Sequence, residues 1–379
     1  MVLKQIERTL LRHHPEKNRA IILYGPRQAG KTTLVKHIIE KYPKKAKYMS
    51  CDYADVRDVF AYENSHKLKE VVRNLQLLVL DEAQRIENIG LVLKILVDDY
   101  PNVRVIATGS SSFDLSNKIS EPLTGRKHEF LLFPFSFEEL FQKELPHEQK
   151  RHLDFLLRFG SYPEIAEKNE TEAEIYLKEL TGSYLFKDVF TFQELKKPEL
   201  LTKLLRLIAF QIGSEVSYHE LAQKLGVDQT VIQRYLFLLE EAFVIFRLSA
   251  LKRNLRNEVT KSRKIYFWDL GIRNSLIQNH NRLEFRNDIG ALWENFCIAE
   301  RMKYLNNHQK GVNHYFWRTY AQKEIDYIEE AGNTLCAYEF SWNHKKKRKL
   351  PKAFSESYKN STFEVIHPEN FQKFLLGNS

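Results

Sequence analysis

Four apolar residues, Ile21-Ile22-Leu23-Tyr24, run directly into Gly25-Pro26-Arg27-Gln28-Ala29-Gly30-Lys31-Thr32. Thr33 follows, and then Leu34-Val35-Lys36-His37-Ile38-Ile39 repeats apolar residues at helical spacing. The central eight residues fit G-x-x-x-x-G-K-[ST], a phosphate-cradling loop between a buried strand and the N-terminus of a helix. Gly25 and Gly30 allow backbone torsions that turn amide N–H groups inward onto phosphate oxygens. The helix dipole adds a favourable potential for an anion. Lys31 is the point charge for β- and γ-phosphates, and Thr32 offers a hydroxyl to Mg²⁺. The pattern predicts that the chain binds a nucleoside triphosphate.

The first third alternates strand-like apolar runs with helical stretches, which predicts a parallel sheet covered on both faces. The expected strands are Ile21–Tyr24, Tyr48–Asp52, Leu77–Leu80, Val103–Thr108 and Phe130–Phe133. Asp81 and Glu82 leave the C-terminal end of the Leu77–Leu80 strand, where ligands bind in open α/β sheets. Asp81 is suited to Mg²⁺, and Glu82 to orienting or deprotonating an attacking water. The strand that ends in Thr108-Gly109-Ser110-Ser111 suits a polar sensor for the γ-phosphate or that water, with Ser110 first and Thr108 and Ser111 close behind. Arg126 carries a guanidinium suited to nucleotide phosphates, in cis or across a subunit boundary, and equally to a plain surface position.

At 379 residues the chain is too long for one ordinary core. Its 43% hydrophobic and 28% charged residues describe a globular chain rather than a disordered one. No apolar run reaches the length of a membrane span, and Met1–Arg8 lacks the apolar core of an export signal. Cys51, Cys297 and Cys336 are far apart without metal-ligand spacing, which fits a reducing cytoplasm. A formal charge of +9 is compatible with a polyanionic partner without requiring one.

With Leu80-Asp81-Glu82-Ala83-Gln84, Thr108-Gly109-Ser110-Ser111 and Leu123-Thr124-Gly125-Arg126, the loop resembles the AAA-type predicted ATPases of bacteria and archaea that carry a C-terminal domain of unknown function. Further matches are Leu132-Phe133-Pro134-Phe135-Ser136-Phe137, Gly160-Ser161-Tyr162-Pro163-Glu164, Tyr184–Val189, Tyr266–Gly271 and Leu292-Trp293-Glu294-Asn295, so the likeness covers nearly the whole chain. The resemblance implies an AAA-type ATPase core and ATP as the nucleotide, and an Asn-Lys-x-Asp motif for guanine is absent. Arg27 and Gln28 belong to the loop signature, Arg27 either touching phosphate or packing structurally.

The remaining chain is expected to follow a core at 1–145 as a helical linker or lid at 146–212, a winged helix-turn-helix at 213–280 and a nuclease-like domain at 281–379. Ser217–Gly226 reads as a short helix closed by glycine, and Gln229–Ala242 as a second, followed by a β-ribbon from Phe243. Gln229, Thr230, Gln233 and Arg234 are expected to face outward, and Lys252, Arg253, Arg256, Lys261, Arg263 and Lys264 add basic charge. DNA is one candidate partner on these grounds and a protein is another. Self-association is compatible with either.

Farther on, Asp326 and Glu339, with Glu294 on a preceding helix, resemble the metal site of the restriction-endonuclease-like fold. Its activating lysine would fall at position 341, which is serine. Lys323 and Lys345 are the nearest alternatives in sequence. The resemblance therefore implies a degenerate, inactive nuclease frame.

Overall fold

A computed structural model describes residues 19–61, 65–110, 115, 118–119, 121–184, 198–251, 263–345 and 348–377, which divide into two compact units. The first comprises residues up to Pro134 together with Glu241–Phe243. Five strands, β1 (Ala20–Tyr24), β2 (Ala46–Ser50), β3 (Leu77–Asp81), β4 (Arg104–Gly109) and β5 (Lys127–Leu131), form an all-parallel sheet ordered β2-β3-β4-β1-β5. The strands fall within a few residues of their expected places. β5 begins three residues early because Ala20 pairs with Lys127, at the start of β1.

β1 and β3 are buried along their whole length, as strands covered on both faces must be. On one face Ile21, Leu23, Leu77, Val79, Ile106 and Phe130 pack against Leu34, Val35 and Ile38 of the helix Lys31–Glu40. Residues of opposite parity, Ile22, Leu78, Leu80, Val105 and Ala107, are equally buried on the other face. The core is thus an α/β parallel sheet of the nucleotide-binding kind.

The second unit spans Phe135–Glu240 and Val244–Ser379. Its sheet is mixed: β6 (Ile245–Ala250), β7 (Arg263–Phe267), β8 (Asn313–Arg318), β9 (Glu324–Ala331), β10 (Thr334–Phe340) and β11 (Ser361–Ile366), in the order β11-β10-β9-β8-β6-β7. Strands on both sides of the expected boundary at 281 thus share one sheet. The antiparallel β6–β7 pair is not a free wing after a helix-turn-helix, because β6 also pairs in parallel with β8 through Ser249 and Ala250. The two expected helices are present at Tyr218–Leu225 and Gln229–Glu241.

Two of the sequence signatures are packing devices in this unit. Gly160 has φ +76°, and a Cβ there would lie 2.2 Å from Asp269 Oδ1. Asp269 accepts from the Ser161 backbone N–H at 2.7 Å and caps the helix Leu270–Leu276 through the Ile272 N–H at 3.1 Å. The buried Lys303 donates to Ser161 Oγ and to Glu300. Asn295 pairs with both backbone polar groups of Phe267, the O and the N–H, at 2.8 Å each. Gly160–Glu164 and Tyr266–Gly271 thus meet in one hydrogen-bonded joint.

Candidate nucleotide site

The order β3-β4-β1 decides the site. β4 lies between the strand that feeds the phosphate loop and the strand that ends in Asp81. All three run the same way, so Gly25–Thr32, Thr108–Ser110 and Asp81–Glu82 leave the same edge of the sheet, next to one another.

Gly25 is required by close approach, since a Cβ would meet Leu132 O at 2.1 Å. Gln28 and Gly30 take positive φ, +59° and +93°, and Gly30 is the N-cap of the helix Lys31–Glu40. Pro26 O accepts from the Ala29 N–H, which closes the turn. Thr33 lies in the helix's first turn. Lys31 is buried, and its ammonium donates to Gly25 O at 2.7 Å and Pro26 O at 2.9 Å. The cation is thus held inside the loop that a phosphate would enter.

Asp81, 3% exposed, gathers hydroxyls from three elements. Thr32 Oγ1 donates to Oδ2 at 2.8 Å, Tyr48 OH to the same oxygen at 2.5 Å, and Thr108 Oγ1 to Oδ1. Tyr48 was not foreseen as a site residue. Its position on β2, whose Ser50 pairs with Asp81, brings it there. Burial, the Asp81 hydrogen bond and the Asp81 charge together push the Tyr48 phenol far above its ordinary value, so it stays a donor. The neighbouring Cys51 thiol is pushed up to about 12 by burial and then by the Asp81 and Asp52 charges.

Glu82 has φ +55°, a left-handed turn that ends the strand, and its N–H donates to Thr108 Oγ1 at 3.2 Å. Gln84 Nε2 bridges Glu82 Oε2, at 2.6 Å, and the buried Ser110 Oγ, at 3.5 Å. The Gln84 side-chain amide oxygen, Oε1, is buried without a hydrogen-bond partner among the described residues. Gln84 ends the Leu80–Gln84 motif, but the sequence by itself gave it no role. Ser111 lies outside the described residues.

Arg126 sits elsewhere. Its carbonyl accepts from the Ala20 N–H at the start of β1, and its guanidinium pairs with Asp98 at 2.7 Å. β1 separates that end from the phosphate loop by roughly 13 Å, at ~3.3 Å per residue. The sheet thus holds Arg126 at the opposite end of β1 from the phosphate loop.

In the second unit, Gln229, Thr230, Gln233 and Arg234 are all exposed on the helix Gln229–Glu241. The basic residues Lys252, Arg253, Arg256 and Lys261 lie outside the described residues, as do Leu185–Val189. Lys323 and Lys345 are exposed, and Ser341 Oγ donates to Asn343 O. The lysine among the nuclease-like carboxylates is instead Lys264 of β7, 3.1 Å from Glu294. No helix among the described residues is long and apolar enough to cross a membrane.

Comparison with known proteins gives the chain three matched parts. Residues 17–141 match an AAA domain, residues 150–283 a domain of unknown function (DUF8612), and residues 289–374 another (DUF4143). An uncharacterized protein of Mycobacterium tuberculosis is 27% identical over 326 residues, covering 85% of this chain and 70% of the relative. One from Methanocaldococcus jannaschii is 24% identical over 391 residues, covering 95% and 85%. Among solved structures, AMPPCP-bound DnaA from Aquifex aeolicus aligns with a TM-score of 0.31 and 18% identity, over 62% of this chain and 86% of that one. Pif1 from a Bacteroides species in complex with ADP-AlF4 aligns with a TM-score of 0.25 and 15% identity, over 48% of this chain and half of that one.

Proposed function

From a chain that carries an AAA domain followed by two domains of unknown function, we propose an ATPase that hydrolyses ATP to ADP and phosphate with Mg²⁺ and couples its nucleotide state to a partner. The observation that carries this reading is the convergence of Lys31, Thr32, Asp81, Glu82 and Ser110 on one edge of the sheet. A binding switch needs the first three. Glu82, next to Asp81 and tied through Gln84 to Ser110, is the residue that hydrolysis adds.

Thr32 and Asp81 would hold Mg²⁺. Their oxygens lie 2.8 Å apart, and a hydroxyl with a carboxylate is a hard-oxygen donor set suited to that ion. When bound, the ion neutralises charge on the phosphate oxygens. Lys31 exchanges its two carbonyl acceptors for phosphate oxygens, and the backbone N–H groups of Gly25–Thr33 line the phosphates. Glu82 orients the attacking water and takes its proton. Ser110 hydrogen-bonds the γ-phosphate or that water. Arg126 serves only across a subunit boundary. Three free thiols, Cys51, Cys297 and Cys336, suit a reducing cytoplasm.

The test is steady-state phosphate release with and without Mg²⁺, in the native chain and in Lys31→Ala. Mg²⁺-dependent turnover that Lys31→Ala abolishes is the expected result. Turnover unchanged by Lys31→Ala rejects the site.

A second reading has one observation of its own, the exposed row Gln229, Thr230, Gln233 and Arg234. Side chains of these types on a second helix suit DNA. In that reading the nucleotide acts as a switch and hydrolysis is slow. DNA affinity measured against salt, with and without ATP, separates the two, because phosphate contacts give a steep salt slope.

A further inference from the structure

A cluster of carboxylates in the second unit is built around a lysine. Lys264 enters from β7, Glu294 from the helix Ile289–Asn307, and Glu324 and Asp326 from β9. Glu339 follows from the end of β10, where the Phe340 N–H donates to Asp326 Oδ2 at 3.0 Å. Lys264 Nζ lies 3.1 Å from Glu294 Oε1 and 3.9 Å from Asp326 Oδ1, and it pairs with Glu324 Oε1. Its side chain is 2% exposed, with the ammonium 5.7 Å from the Phe316 ring centre.

The restriction-endonuclease-like frame would set a divalent ion among these oxygens. The residues present do not fit one. Glu294 Oε1 already accepts from both Lys264 and the Tyr266 hydroxyl, the latter at 2.6 Å. Asp326 Oδ2 is taken by a backbone N–H and Glu324 Oε1 by the ammonium. Among the described residues no group of three or more His, Cys, Asp or Glu side chains is placed to hold a metal ion. An ammonium in that position also repels any dication that approaches.

The lysine is fixed there by its strand. β7 is bonded to β6 on one side, and on the other the Val216 N–H donates to Arg263 O while Glu215 bridges Lys264. Arg318, paired with Glu215 and 3.7 Å from Glu324, and Arg348, 3.6 Å from Glu339, spread further positive charge around the cluster.

We propose that Lys264 is a built-in cation standing where the nuclease-like frame would hold a divalent metal, so that this unit is complete without metal and removal of the ammonium opens a metal site. The missing lysine at Ser341 and the lysine at 264 are then two sides of one change: the cation has moved from beside the metal position into it.

The test is Mn²⁺ titration of the nucleotide-free full chain, followed by the electron paramagnetic resonance of the free ion. Four proteins are compared: the native chain, Lys264→Ala, Asp326→Asn, and Lys264→Ala with Asp326→Asn. A Mn²⁺ ion at Thr32 and Asp81 appears equally in all four and cancels. Lys264→Ala is expected to gain one Mn²⁺ per chain, bound at least tenfold tighter than any further ion on the native chain, and the added Asp326→Asn is expected to remove it. No gain in Lys264→Ala overturns the proposal. So does Mn²⁺ bound by the native chain and lost in Asp326→Asn alone, a comparison that needs no Lys264 variant. Should Lys264→Ala not fold, Lys264→Met keeps the apolar stem beside Phe316 and answers the same question.

Discussion

Thr32 donates its hydroxyl to Asp81 Oδ2 at 2.8 Å, although 49 residues separate the two. The contact joins the phosphate loop to the carboxylate strand across β4, and it makes the proposed site one hydrogen-bonded unit. Tyr48 and Thr108 complete it, so the single buried carboxylate of Asp81 holds three elements in register.

Glu82→Gln is expected to leave ATP affinity within about threefold while turnover falls by roughly 10²–10⁴, the usual share of a general base. Binding of a fluorescent nucleotide beside phosphate release reads both. Normal hydrolysis in this variant removes Glu82 from the water-orienting role.

Gln84 holds Glu82 and Ser110 at once, and its amide is the bridge between them. Gln84→Ala should lower kcat by roughly ten- to a hundredfold with little change in KM, because an orientation is lost rather than a phosphate contact. An equal rise in KM at constant kcat would assign Gln84 to binding instead.

Tyr48→Phe deletes one donor to a buried carboxylate, together with the hydroxyl's contact with the Ser50 side chain. Hydrogen bonds to charged groups contribute about 1.5–3 kcal/mol, and the loss should appear as a lower urea midpoint of the first unit. A midpoint unchanged from the native chain means that Thr32 and Thr108 satisfy Asp81 by themselves.

Gly160→Ala should be far more damaging than Gly226→Ala. Both glycines have positive φ, but a Cβ at Gly226 meets nothing within 4 Å, whereas at Gly160 it strikes the Asp269 carboxylate. Backbone strain costs about 1–3 kcal/mol in each, and overpacking adds about 1–3 kcal/mol only at Gly160. Thermal melting of the two variants measures the difference, and equal shifts contradict the close packing of Gly160 on Asp269.

Burial pushes the Glu339 carboxyl up from 4.5 to about 7, with Arg348 opposing, Glu324 and Glu294 adding, and Lys264 opposing again. The folded chain therefore holds this proton more tightly than the unfolded one. Its contribution to stability is fully present below pH 4.5 and is lost as the pH rises through about 7. The loss is at most about 3.5 kcal/mol, at ~1.4 kcal/mol per pKa unit. Urea unfolding from pH 4.5 to 8 should show this decline in the native chain and a flatter profile in Glu339→Gln. Identical profiles would place the titration elsewhere.

The phosphate loop, the all-parallel sheet and the Asp81–Glu82 strand end were legible because each is written in contiguous residues. Loop torsions need glycine at fixed places, a strand buried on both faces needs an unbroken apolar run, and a helix needs its period. Tyr48 was harder to read, since a tyrosine on an edge strand has no local signature, and Gln84 stood in a motif that did not reveal its bridge to Ser110.

What the sequence by itself determined is the chemistry each segment carries; what the tertiary structure alone decided is which segments meet. Parallel pairing sent Arg126 to the opposite edge of the sheet from Lys31, a direction that no spacing records. Backbone N–H and C=O groups are the same in every residue, so β6 could not announce that it would pair with β8 rather than stand as a wing. Lys264, Glu294 and Asp326 span 62 positions of chain and converge only through the curl of the mixed sheet and one long helix. Read along the chain, the lysine was missing; in space, it stands among the carboxylates.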